Sequence, residues 1–203
     1  MIAIIDYGVG NIKAFANIYH NLQIPFRIVK NSNDFENISK IILPGVGSFD
    51  HAMQNLENSG MKEILNDLVL NKEIPVLGIC VGMQMLAKSS EEGILPGLGW
   101  IDGVVKKFDN KKLNNMPLPH MGWNNINIIK KNSIFNDIDE EPMFYFLHSF
   151  YFECNDKSNI IATTSYGEKF ASIINYKNIY GIQCHPEKSH HNGITILKNF
   201  GEL

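Results

Sequence analysis

The chain has 203 residues, 44% of them hydrophobic and 19% charged, with a net charge of −3. That balance supports a packed core and suits neither a disordered segment nor a polyanion binder, so nucleic acid is excluded as the main partner. Arg27 is the only arginine, which leaves no guanidinium cluster for a bidentate grip on phosphate.

The opening Met1-Ile2-Ala3-Ile4-Ile5-Asp6 has no basic segment and meets an acid too early for a signal peptide. Ile2 to Ile5 reads as a buried strand, followed by a Gly-rich turn and by Ile12, Phe15, Tyr19 and Leu22 at helical spacing. Phe26 to Val29, Lys40 to Leu43 and Pro75 to Ile79 repeat the short apolar run, and Met53 to Leu56 and Met61 to Leu70 carry helical patterns between the later ones. Strands alternating with helices predict a parallel sheet. Beyond Gly97 the segments are strand-like: Val104 to Phe108, Ile126 to Ile129, Met143 to Phe146, Ile160 to Thr164, Phe170 to Ile174 and Ile179 to Cys184. The helical pattern Ile194, Leu197 and Phe200 closes the chain. We expect one α/β domain over 1–203: three layers, with a central, mostly parallel sheet, helices on both faces and a β-rich second half. The longest apolar run, Met143 to Leu147, is far below the ~18 residues of a membrane span, so a cytoplasmic protein with no membrane partner is expected.

Cys80, Cys154 and Cys184 are odd in number and lack CxxC spacing, which argues against a disulfide framework or a structural zinc. Cys80 stands apart. Gly78-Ile79-Cys80-Val81-Gly82-Met83-Gln84 ends a predicted strand and opens a helical pattern at Met83, Leu86 and Ala87. The same spacing around a serine makes the nucleophile elbow of hydrolases, and a helix N-terminus favours a thiolate there. Gln183-Cys184-His185-Pro186-Glu187 supplies a base and an orienting acid on one side of an extended segment. Read alone, Cys80 fits a small buried hydrophobe as well, and the late tripeptide fits a surface turn. His148 is a rival base with no acid nearby in sequence. His185, His190 and His191 with Cys184 match no standard metal spacing. Gly8-Val9-Gly10-Asn11 fails as a dinucleotide fingerprint because Lys13 replaces the third glycine. Pro44-Gly45-Val46-Gly47-Ser48-Phe49 leaves the same predicted sheet edge as Cys80, and its N–H groups are open to a ligand.

The G-x-C-x-G-x-Q elbow and the late His-Pro-Glu resemble those of the triad glutamine amidotransferases. Asp6 to Asn11, Pro44 to Phe49, Pro119 to Asn124, Phe144 to Ser149 and Glu187 to Ser189 extend the resemblance over the full length, toward the glutaminase subunits of imidazole glycerol phosphate synthases. The resemblance implies a flavodoxin-like fold and hydrolysis of L-glutamine to L-glutamate and ammonia without a cofactor or metal. The ammonia passes to a (β/α)8-barrel synthase subunit in a heterodimer, which forms imidazole glycerol phosphate and AICAR in histidine biosynthesis. It implies Cys80, His185 and Glu187 as the triad, and oxyanion donors at Val81 and along Gly45, Val46 and Gly47. Gln84, His148, Ser149 and Phe150 take the glutamine-binding positions. Asn11, His120, Met121, Trp123, Asn124 and Lys188 take the partner face and ammonia gate. Val81 and His51 depart from the family's usual residues without touching the triad. Three alternatives remain at this level: a paralogous subunit feeding ammonia to a surface-sugar precursor, an independent thiol hydrolase, and a non-catalytic module.

Overall fold

The computed structural model describes residues 1–203. All four residues of β1 (Ile2–Ile5) are buried, as an unbroken apolar run requires when helices cover both faces of its sheet. α1 (Ile12–Asn21) buries Phe15 and Tyr19, one turn apart, and leads to β2 (Phe26–Val29). β3 (Lys40–Gly45) is followed by α2 (Phe49–Asn58), whose buried Phe49, Ala52, Met53 and Leu56 form one helical stripe. α3 (Lys62–Asn66) continues as a π-helical turn over Asp67–Asn71, so the expected helical stretch is present but underwound at its end. β4 (Val76–Cys80) then runs into α4 (Val81–Gln84). The helix expected through Ala87 is only this single turn, because the chain bends away at Met85.

The second half contains β5 (Ser89–Ser90), β6 (Gly103–Lys107), β7 (His120–Asn125), β8 (Asn127–Ile128), β9 (Met143–His148), β10 (Phe150–Cys154), β11 (Ile160–Tyr166), β12 (Glu168–Tyr176) and β13 (Ile179–Ile182), then α5 (His190–Glu202). β5, β7 and β10 were not expected as strands, and the one expected over 126–129 shrinks to β8.

The main sheet has the order β2-β1-β3-β4-β13-β12-β11-β8. β2, β1, β3, β4 and β13 are parallel, and β12, β11 and β8 add antiparallel pairs. The crossovers β1-α1-β2 and β3-α2-α3-β4 run in opposite directions, which places α1 and α2 on opposite faces when both are right-handed. α5 joins the face of α1, where Tyr19 Oη donates to Leu197 O at 3.1 Å. β10, β6 and β5 form one small sheet, and β7 with β9 another. One hydrophobic cluster joins Ile4, Leu43 and Ile79 of the parallel half to Phe146, Phe152 and Ile173 of the other, so the halves share a core. No helix is long and apolar enough to cross a membrane.

Because β1 connects one way and β3 the other, a crevice opens between their carboxyl ends, where open α/β sheets place their ligands. The register sets Gly45 at the end of β3 directly beside Cys80 at the end of β4.

Candidate active site

The turn at Cys80 is built by close approach of backbone. Cys80 has φ 55 and ψ −113, a conformation that costs a non-glycine residue about 1–3 kcal/mol and survives only when its surroundings enforce it. They do so through three glycines. A Cβ on Gly82 would lie 2.0 Å from Leu43 O, one on Gly78 2.6 Å from Gly82 O, and one on Gly45 2.4 Å from Gly82 N. α4 can therefore seat against β3 only where side chains are missing. Val81 N–H, the first of α4, has no intrahelical acceptor.

His185 follows β13 in extended conformation. Its N–H donates to Tyr145 O at 2.8 Å, and its carbonyl accepts Ser189 Oγ at 2.6 Å. Ser189 Oγ in turn accepts Tyr145 N–H at 3.0 Å, so β9 and the histidine segment are clipped together. Glu187 sits in the 3-10 turn Pro186–Lys188, and its Oε1 accepts His185 Nδ1–H at 2.9 Å. Both side chains are buried. With Nδ1 engaged, Nε2 is the nitrogen left for Cys80. Burial is the largest influence on the imidazole and favours its neutral form. The hydrogen bonds and charges of Cys80 and Glu187 together outweigh it and push the pKa up to about 10. Gln183 Nε2 also donates toward Cys80 Sγ at 3.9 Å.

Cys80 opens onto a cleft of about 620 Å³. Gly10 and Asn11 border it after β1, Val46 and Gly47 after β3, and Val81 and Gln84 on α4; Leu147, His148, Ser149 and Phe150 form the far wall, and His185, Glu187 and Lys188 complete it. Gly45 is buried beneath the rim, whereas Val46 and Gly47 are exposed. Such a site offers a nucleophile, a base with its orienting acid, and backbone N–H groups beside the sulfur, the set that acyl transfer needs.

The structure departs from expectation at several residues. His148 is not placed as a base: its Nδ1 lies 2.8 Å from Phe150 O and its Nε2 3.1 Å from His120. His120, expected on the partner face, is buried and turned inward, and Asn124 donates to Ser165 O and contacts His120. Met121, Trp123, Lys188 and Asn11 are exposed. Gln84 is buried and spends its amide on Phe150 O and Gln183 Oε1. No three His, Cys, Asp or Glu side chains converge to hold a metal. Two residues at or beneath the cleft carry no role in the sequence reading. Glu92 borders the cleft and accepts Phe49 N–H at 2.8 Å, tying a loop to the start of α2. Tyr7 is buried under the rim, its Oη donating to Pro44 O at 2.6 Å. Glu92 lies in no pattern, and Tyr7 lies in the Asp6 to Asn11 segment with no role assigned to it there.

Residues 3–202 match the family described as Glutamine amidotransferase class-I. The imidazole glycerol phosphate synthase subunits HisH of Leptospira borgpetersenii and Bdellovibrio bacteriovorus are each 52% identical to this chain, over all of both sequences. HisH 2 of Pseudomonas aeruginosa is 42% identical, again over the whole of both chains. Among solved structures, a glutamine amidotransferase superposes with a TM-score of 0.74 at 15% identity, covering 98% of each chain. PurLQS from Thermotoga maritima gives 0.71 at 16% identity, covering 98% of this chain and 96% of that one. At those identities the structures speak for the fold alone, while the family match and the full-length relatives speak for descent: the chain belongs to the class-I glutamine amidotransferase family.

Proposed function

We propose that this chain is the glutamine-hydrolysing subunit of an imidazole glycerol phosphate synthase and that Cys80, His185 and Glu187 carry the reaction. The observation that bears most weight is the convergence of an elbow cysteine with a Glu187-oriented His185 at the head of a cleft, in a chain so similar to HisH subunits along its whole length. Cys80 Sγ attacks the carboxamide carbon of glutamine. The resulting oxyanion faces Val81 N–H and N–H groups of the Gly45 to Gly47 segment, each such donor being worth about 3 kcal/mol in comparable sites. His185 gives its Nε2 proton to the leaving nitrogen, ammonia departs and a glutamyl thioester remains. Water then loses a proton to His185 as it attacks the thioester, glutamate leaves, and the thiolate and imidazolium are restored. Glu187 stays ionised, holding Nδ1–H. The α-ammonium of glutamine needs an anion, and Glu92 is the carboxylate on the cleft wall away from the triad.

Ammonia is then handed to a (β/α)8-barrel synthase subunit, for which exposed Met121, Trp123, Lys188 and Asn11 offer a surface beside the cleft. Cys80→Ala, assembled with the synthase subunit, is expected to lose glutamine-driven synthesis and keep ammonia-driven synthesis. Loss of both activities in a folded complex would count against ammonia supply as the chain's role.

A further inference from the structure

His120 on β7 and His148 on β9 are register partners, and only 3% and 6% exposed. The reaction above uses neither ring. Their surroundings admit one arrangement of protons. Phe150 O can only accept, so His148 Nδ1, 2.8 Å away, carries the hydrogen and Nε2 is a lone pair. His120 Nδ1–H fills that lone pair at 3.1 Å. His120 Nε2 is then an acceptor, and Asn124 Nδ2–H meets it at 3.2 Å. The Asn124 amide is oriented independently: Nδ2 also donates to Ser165 O at 3.0 Å, and Oδ1 accepts Asn125 N–H at 2.9 Å. Both imidazoles are therefore neutral, and burial pushes His120 down to about 4 and His148 to about 3. The His120 ring is also stacked between Phe146 and Tyr166, at 4.8 and 4.0 Å between centroids.

This ordered chain ends on the wall of the cleft. Phe150 O, held by His148, also accepts Gln84 Nε2 at 3.1 Å, so one carbonyl joins the wall to the elbow helix. Without a donor from His120, His148 Nε2 would be a buried acceptor with no partner, a cost that the ring escapes by rotating and dragging the Leu147 to Phe150 backbone with it.

We infer that His120 is a positioning residue for glutamine: by donating Nδ1–H to His148 it holds the Leu147 to Phe150 wall in the shape that binds substrate. The inference rests on the glutaminase reading of the cleft. The test measures glutamine kinetics of the assembled synthase carrying His120→Phe or His120→Asn. Phenylalanine keeps the stacked ring and removes the donor, while asparagine restores an N–H near the position of Nδ1. H120F should raise KM for glutamine about tenfold, equivalent to about 1.4 kcal/mol, with kcat within about threefold, and H120N should bring KM back to within about twofold of the parent. Equal effects of the two variants, an unchanged KM in H120F, or a fall in kcat alone would overturn the inference. If either variant fails to fold, nitrogen-15 NMR of the unsubstituted protein decides. Both histidines are expected as neutral Nδ1–H tautomers near neutral pH, and an Nε2–H tautomer or an imidazolium at either would overturn it. An unsubstituted complex with no glutamine turnover would overturn the glutaminase reading, and this inference with it. Normal turnover with an unresponsive H120F overturns this inference alone.

Discussion

Gly82→Ala tests how the elbow is made. Its Cβ would sit 2.0 Å from Leu43 O, whereas carbon and carbonyl oxygen approach no closer than about 3.3 Å. α4 must then withdraw from β3 by more than ~1 Å, and the obstacle is core backbone that cannot rotate away. Overpacking costs about 1–3 kcal/mol, and a backbone obstacle places this change at the upper end. At about 2–4 °C per kcal/mol for a chain of this size, Tm should fall by roughly 6–12 °C. The same withdrawal carries Val81 N–H and Cys80 away from the Gly45 to Gly47 segment, and a misplacement of about 1 Å can cost about 100-fold in rate. The assays are thermal unfolding of the subunit and kcat for glutamine in the assembled synthase, with ammonia-driven synthesis as the control expected to stay constant. Parental Tm and kcat in Gly82→Ala would refute close backbone packing as the origin of the elbow.

Three further outcomes are expected. Relief of the φ 55 conformation should make Cys80→Gly melt higher than Cys80→Ala by about 2–4 °C, the equivalent of about 1 kcal/mol, although both are inactive; an equal or lower Tm would remove the strain from the account. His120 and His148 stay neutral in the fold down to about 4 and 3, while in the unfolded chain they gain protons below their ordinary value of 6.5. Stability should therefore drop by several kcal/mol as pH falls through that window, and a urea midpoint unchanged between neutral pH and about pH 5 would contradict it. Trp123 is 44% exposed and stacks on His190 at 5.0 Å, so Trp123→Ala should weaken affinity for the synthase subunit about tenfold, or about 1.4 kcal/mol, with little change in Tm; full affinity, measured by calorimetry, would move the docking face elsewhere.

The parallel half was legible because its strands are short, mostly apolar and closed by turns: β1 and β2 match their expected bounds residue for residue. The elbow and the His-Pro-Glu turn were legible because local spacing dictates local geometry. β7 was hidden by its inverted alternation, with Met121 and Trp123 facing out while His120 and Asn124 face in. A polarity rule reads such a strand backwards, and the resemblance that assigns His120 to the partner face says nothing of its burial. Glu92 reaches the cleft, and Tyr7 its underside, through tertiary contacts with Phe49 and Pro44, which no window of sequence contains. The single turn of α4 was read too long because Leu86 and Ala87 are buried by the following bend and not by a continuing helix.

The most direct test of the central claim is covalent labelling of the assembled synthase with a glutamine-shaped chloromethyl ketone, read by peptide mass spectrometry. Cys154 and Cys184 are buried free thiols, the first pushed up to about 12 and the second also raised, in both cases chiefly by desolvation. Thiol reactivity should therefore be confined to Cys80, the cysteine that shares the cleft with His185. The expected result is one adduct, on Cys80, prevented by glutamine and abolished in His185→Ala. An adduct on another residue, or a folded complex that turns over glutamine while Cys80 stays unlabelled, would contradict the account.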